Sequence, residues 1–160
     1  MQSLTPPERH FITKHASSNC GVGTTLVQWN LQEDDACPRC GQPEDSAHVY
    51  LCTGQNASVT WESNLNNLVD SLTRSQTDPS ITHAIITSLS HWRQNGVIPL
   101  HLIHPSLWSV VHQQHTIGWR SLLEGAAGTQ WRHAQQEYCT HLGLRQSNRR
   151  WLRATLVQLA

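Results

Sequence analysis

Apolar residues recur at helical spacing along most of the chain. Trp61, Leu65, Leu68 and Leu72 follow one another at steps of four, three and four, which places them on one face of an amphipathic helix that Asn56 or Ser58 can cap. Asp78-Pro79 predicts a second helix, an N-cap carboxylate followed by proline in the first turn, with Ile81, Ile85, Leu89 and Trp92 as its stripe and Asn95-Gly96 as its stop. Between Val97 and Pro105 there are two prolines and no helical period. A third helix is expected to begin near Pro105, to turn Leu107, Val110 and Val111 inward, and to run on to Leu122 or Leu123 before Gly125 and Gly128. Thr129 can cap a fourth, through Trp131, Gln135 and Tyr138, and Ser147 a fifth, carrying Trp151, Leu152, Leu156 and Leu159. Period-two alternation is almost absent, so the fold class is mostly α.

Upstream of these helices, residues 20–24 (Cys-Gly-Val-Gly-Thr) hold two glycines that separate a helix before from a helix after by a turn. The 160 residues amount to one ordinary domain with an appended piece, divided into residues 1–55, a lead-in and cysteine segment, and residues 56–160, a helical region. Acids and bases balance at 11 each, which excludes a globally basic nucleic-acid binder, but the balance is uneven in sequence. Residues 31–80 carry eight acids against Arg39 and Arg74, while residues 81–160 carry seven arginines against Glu124 and Glu137. The basic half can meet a polyanion or the acidic half of its own chain. No run approaches the roughly 20 apolar residues that span a bilayer, and the start lacks a charged segment followed by an apolar one. The expectation is a soluble, intracellular protein with no membrane partner, nuclear or cytoplasmic.

Residues 37–52 read CPRCGQPEDSAHVYLC and place Cys37, Cys40, His48 and Cys52 with gaps of two, seven and three. Three thiolates and an imidazole make a closed tetrahedral donor set whose softness selects zinc. The tight Cys-x-x-Cys turn aims two sulfurs at one point, Pro38 stiffens it, and Gly41 supplies a positive φ. His48 and Cys52, four apart, share one face of a short helix. The fold expected is therefore a helical domain with a small N-terminal CCHC zinc knuckle, holding one structural zinc with no open position for catalysis. Cys20 and Cys139 are left over, as buried small hydrophobes.

This segment resembles the zinc-binding domain that follows the polymerase domain in reverse transcriptases of non-LTR retrotransposons, whose pattern is Cys-Pro-x-Cys-Gly, a polar stretch, His-Val or His-Leu and a final Cys. Upstream, KHASSNCGVGTTLVQWN looks like that family's lead-in. Downstream, HQQHTIGWRSLLEGAAGTQWRHAQQEY is similar to a recurring C-terminal pattern of element-encoded proteins, at Gln113-Gln114, Ile117-Gly118-Trp119, Gly125, Trp131 and Gln135. The resemblance covers about residues 10–140 and implies a role beside a polymerase in holding RNA or target DNA. A polymerase needs adjacent carboxylates with a third nearby for two metals. The adjacent acids here, Glu33-Asp34, Asp34-Asp35 and Glu44-Asp45, all flank or lie inside the cysteine segment, and the single lysine is Lys14. The reading is thus a non-catalytic C-terminal fragment of such an enzyme, or a remnant expressed by itself, with RNA or DNA and a reverse transcriptase or other protein as partners.

Three further features bear on function. His101-x-x-His104 and His112-x-x-His115 would bind a second metal if the loop and third helix brought the two pairs together, which is the requirement of a small metallohydrolase reading. Arg145, Arg149, Arg150 and Arg153 lie beside Trp151 in a stretch without an acid, a candidate for phosphate contact and base stacking, or else a solvated helix face with Trp151 in the core. The seven tryptophans are assigned mainly to the core, since the chain has one phenylalanine. A different class of function remains open alongside these, a zinc-stabilised helical module that binds protein through its acidic 31–80 face.

Overall fold

The computed structural model describes residues 13, 14, 17, 20–144 and 151. Among them the regular structure is helical, and extended pairing is confined to one isolated antiparallel bridge, Ala36 with Pro43. The chain divides into two compact units, residues 1–64 and residues 65–160. The mostly α reading, with a small Cys3His cluster ahead of a helical region, holds. No helix among the described residues is long and apolar enough to cross a membrane.

The first unit contains α1 (Gly23–Gln28), α2 (His48–Leu51) and the start of α3 (Gln55–Arg74). Gly23, expected in a turn, is instead the first residue of α1. The reason is a close approach: a Cβ at Gly23 would stand 2.5 Å from the Asp35 carbonyl oxygen, so only glycine lets the two backbones meet. Helix α3 begins one residue before Asn56, and the Ser58 amide already donates to the Gly54 carbonyl, so neither expected cap stands at its N-terminus.

In the second unit, Leu65, Leu68 and Leu72 of α3 are buried as their spacing requires, while Trp61 in the first unit is half-buried. Helix α4 (Pro79–Asn95) starts and stops where the sequence says: the Asp78 carboxylate accepts from the Ser80 amide at 2.7 Å, and Ile81, Ile85 and Leu89 are buried. The irregular stretch folds into two three-residue 3-10 turns, Leu100–Leu102 and Pro105–Leu107. The expected third helix is broken into α5 (Trp108–Ile117) and α6 (Trp119–Leu123). Gly118 makes the break, at φ +105° and ψ +138°, a conformation L side chains rarely adopt. Beyond the break, Trp119, Leu122 and Leu123, at i, i+3 and i+4, are buried on one face of α6. Helix α7 (Thr129–His141) completes the unit, α5 packs on α6 and α7, and α4 packs on both of these.

Two buried glutamines tie this unit together. Gln114, fully buried, accepts from the Gly128 amide at 2.8 Å and the Trp131 indole N–H at 3.2 Å, and donates to the carbonyls of Gly118 at 3.0 Å and Ala126 at 3.3 Å. Gln113 accepts from the Gln130 amide at 3.1 Å. The N-terminus of α7 is therefore satisfied by side chains from α5, and Thr129, expected as its cap, is its first helical residue with Gly128 at the cap position. Gln135, also fully buried, accepts from the Asp78 amide at 2.9 Å and donates to the Gln76 carbonyl at 3.0 Å, fastening the turn that links α3 to α4. Ser147 and the fifth helix expected from it lie outside the described residues, apart from Trp151.

Candidate metal centre

The site is built on a hairpin-like loop. After the Ala36 to Pro43 bridge, the Cys37 amide donates to the Gln42 carbonyl and the Gly41 amide to the Cys37 carbonyl, both at 2.8 Å, with Gly41 at φ +74°. This turns the Cys37 to Cys40 segment back on itself. The second pair of donors comes from α2, where the Asp45 carboxylate accepts from the amides of Ala47 at 2.9 Å and His48 at 2.7 Å, fixing where the helical turn begins. One turn later the Cys52 amide donates to the His48 carbonyl at 2.7 Å, and the two ligand residues stack on one face. Gly54 then passes so close to the Arg39 backbone that a Cβ would lie 3.0 Å from its carbonyl oxygen, which leaves little room for a side chain there.

One potential donor atom from each of Cys37, Cys40, His48 and Cys52 lies within 4.8 Å of the other three. Cys37 Sγ and Cys52 Sγ are 3.9 Å apart and Cys40 Sγ is 3.2 Å from His48 Nε2. Sulfurs held 2.3 Å from one tetrahedral ion stand about 3.7 Å from each other, so the set fits a single ion with small adjustments. Cys37 and Cys52 are buried beside Ala57, and Cys40 and His48 are half-buried. Among the described residues this is the one group of three or more metal-ligating side chains gathered closely enough to hold an ion.

The acidities of Cys40 and Cys52 are shifted in opposite directions. The Gln42 backbone amide draws Cys40 down, but desolvation and the neighbouring Cys52 and Cys37 outweigh it and hold that thiol above its ordinary value. Burial pushes Cys52 up, yet the Gly54 amide, the other two thiols and the positive Arg39 together bring it below its ordinary value. Backbone amides aimed at two sulfurs are the second layer that orients thiolate ligands toward an ion.

Glu44 ties this loop to α1. Its side-chain oxygen accepts from the Gly23 amide at 3.1 Å, its carbonyl accepts from Thr24 at 2.9 Å, and its own amide donates to the Asp35 carbonyl at 2.7 Å. The sequence reading placed Glu44 and Asp45 only as an acidic pair. The Asp45-x-x-His48 spacing, a short acidic side chain three residues ahead of a helical ligand, is the signal that would have shown the role of Asp45.

The other site candidates fall differently. The histidine pairs 101/104 and 112/115 do not assemble into one group. His115 Nδ1 instead accepts from the Trp119 indole at 3.3 Å, and His104 Nδ1 bonds the Ser106 hydroxyl at 2.7 Å. Arg145, Arg149, Arg150 and Arg153 lie outside the described residues. Trp151 is 2% exposed, and its indole N–H donates to the Thr77 hydroxyl at 2.8 Å, the placement of a core ring and not of a stacking platform. Trp119 and Trp131 are also core residues, Trp61 and Trp92 are half-buried, and Trp29 and Trp108 are exposed. Cys20 and Cys139 are buried. No family model, curated protein or solved structure matches the chain.

Proposed function

We propose that the chain is a zinc-stabilised, non-catalytic binding module of the kind that follows the polymerase in non-LTR retrotransposon reverse transcriptases, contacting RNA or DNA through its arginine-rich C-terminal stretch. The observation that carries the zinc reading is the convergence of Cys37, Cys40, His48 and Cys52. Three soft thiolates and an imidazole suit zinc, and four protein donors fill its tetrahedron, leaving no position at which water could be activated. The bound ion would supply folding free energy to the first unit. Phosphate contact is assigned to Arg145, Arg149, Arg150 and Arg153 and not to the metal loop, because Glu33, Asp34, Asp35, Glu44 and Asp45 surround that loop against a single Arg39.

That same acidity favours a second reading, a protein-interaction module. Trp29, Leu31 and Val59 in the first unit are half or more exposed among these acids, a composition suited to a basic, partly apolar partner. Salt dependence separates the two. Fluorescence anisotropy with single-stranded RNA and DNA oligonucleotides is expected to show affinity falling with salt at a log–log slope of about −3 if four arginines contact phosphates, and a flatter slope when the four are changed to glutamine. Binding that is absent, or indifferent to the four substitutions, would leave the protein-interaction reading in its place.

A further inference from the structure

Among the described residues two tryptophans are exposed, and they lie in opposite surroundings. Trp29, 50% exposed in the first unit, is followed closely by Glu33, Asp34 and Asp35, which repel a polyanion. Trp108, 44% exposed, opens α5 in the second unit, in a stretch of chain with no acid between Asp78 and Glu124 that holds Arg93, Arg120 and six histidines.

The Trp108 ring is held by its own N–H, which donates to the carbonyl oxygens of Leu100 and Ile103, each at 3.0 Å. That N–H is the ring's single polar group, so it is satisfied within the protein and what solvent meets is apolar ring surface. The core does not account for this exposure, because Leu107, Val110 and Val111 of the same helical run are the residues it buries. A ring fixed before a ligand arrives loses little freedom on binding.

Trp108 also belongs to an exposed stripe. His104, Trp108, His112 and His115 follow one another at steps of four, four and three, from the start of the second 3-10 turn through α5, and all four are exposed. His115 Nδ1 accepts from the Trp119 indole at 3.3 Å, and His104 Nδ1 accepts from the Ser106 amide at 3.4 Å, so in both neutral imidazoles Nε2 carries the proton. The stripe therefore combines an aromatic face with N–H donors and includes no carboxylate. A nucleobase stacks on such a face, and its phosphates take the donors.

Resting on the nucleic-acid reading above, we propose that Trp108 is the stacking platform for a base of single-stranded nucleic acid. It supplies the element that reading lacks, since Trp151 is in the core. A single strand is required because bases in a duplex are stacked on one another and present no free face.

The test is fluorescence anisotropy of a labelled single-stranded oligonucleotide with the zinc-loaded full chain, with tryptophan emission followed in parallel and circular dichroism verifying that each variant folds. Trp108→Ala is expected to weaken binding by about tenfold without changing its salt slope, because the ring carries no charge. Trp108→Phe keeps a ring but loses the N–H, and it should bind within about threefold of the wild type. Tryptophan emission should fall when the wild type binds, and that fall should be largely lost in Trp108→Phe. Wild-type binding with both Trp108 variants unchanged would overturn the platform and leave the arginine reading standing. An equal loss in Trp108→Ala and Trp108→Phe would overturn it too, since the effect would then belong to the pinned backbone and not to the ring. Absence of any oligonucleotide binding would overturn both readings and leave the exposed ring to a protein partner.

Discussion

The chain is held together by two different means on either side of Asn64. Among the described residues of the first unit the buried apolar ones are few and small, Cys20, Val22, Cys37, Cys52 and Ala57, and two of them are candidate metal ligands. The second unit buries Trp119, Trp131, Leu72, Ile81, Ile85, Leu89 and Leu122 almost completely, along with Gln114 and Gln135. A side chain such as leucine or tryptophan contributes about 2–3 kcal/mol on burial, and the described residues of the first unit bury almost none. Its order rests on backbone hydrogen bonds around the loop and on whatever joins four donor side chains at one point. Where a hydrophobic core is too small, an ion substitutes for it.

The sharpest way to break this comparison is to withhold the ion proposed for the four donors. Chelation, or Cys52→Ala, is expected to release on the order of 10 kcal/mol of metal-coupled folding free energy from the first unit while the second keeps its structure. Hydrogen exchange by mass spectrometry would show amides between Gly23 and Cys52 losing protection and those of α4 and α7 retaining it. Loss of protection in both units at once would mean that the ion stabilises the whole chain.

How much of this was legible in sequence follows the same division. The four donors could be read from their spacing alone, because a metal site is defined by residue types at short intervals, and Asp78-Pro79 with Asn95-Gly96 bounded α4 in the same local way. The break at Gly118 was not legible, since Val110, Val111, Leu122 and Leu123 read as parts of one helix and a hydrophobic pattern does not register the positive φ that Gly118 adopts. The glutamine hubs were not legible either. Gln114 and Gln135 are polar residues on otherwise apolar faces, and their partners lie on other elements up to 59 residues away. Glu44 is the same case in the first unit, reaching Gly23 across 21 residues.

Gln114 gives the largest expected effect that leaves the ion in place. Gln114→Leu keeps the volume but strands two donors and two carbonyls in the interior, at a cost of about 1–3 kcal/mol for each group left without a partner. A loss of about 4 kcal/mol in urea unfolding is expected, with zinc content unchanged. If the variant instead lost zinc, the two units would not be independent.

Gly23→Ala probes the converse. Its Cβ meets backbone at 2.5 Å, so α1 must shift away from Asp35, a change costing about 2 kcal/mol that falls on the first unit. Weaker zinc retention in a competition assay with a chromogenic chelator, by about tenfold, is expected alongside an unaltered unfolding midpoint for the second unit.

The smallest effect distinguishes local from tertiary control of the helix that the sequence described best. Asp78→Ala removes the carboxylate that accepts from the Ser80 amide, a loss of about 1 kcal/mol for an ordinary N-cap. The Asp78 backbone amide, however, is itself held by Gln135, whose other end holds Gln76. If the cap acts alone, Asp78→Ala and Gln135→Ala should add in a double variant. If the turn is one cooperative unit, the double variant should lose less than the sum, because the first substitution already frees the backbone that the second would release. The geometry favours the second outcome: the amide of Asp78 and the carbonyl of Gln76 are fixed by a single side chain, and a cap is useful only while the backbone it reaches is fixed.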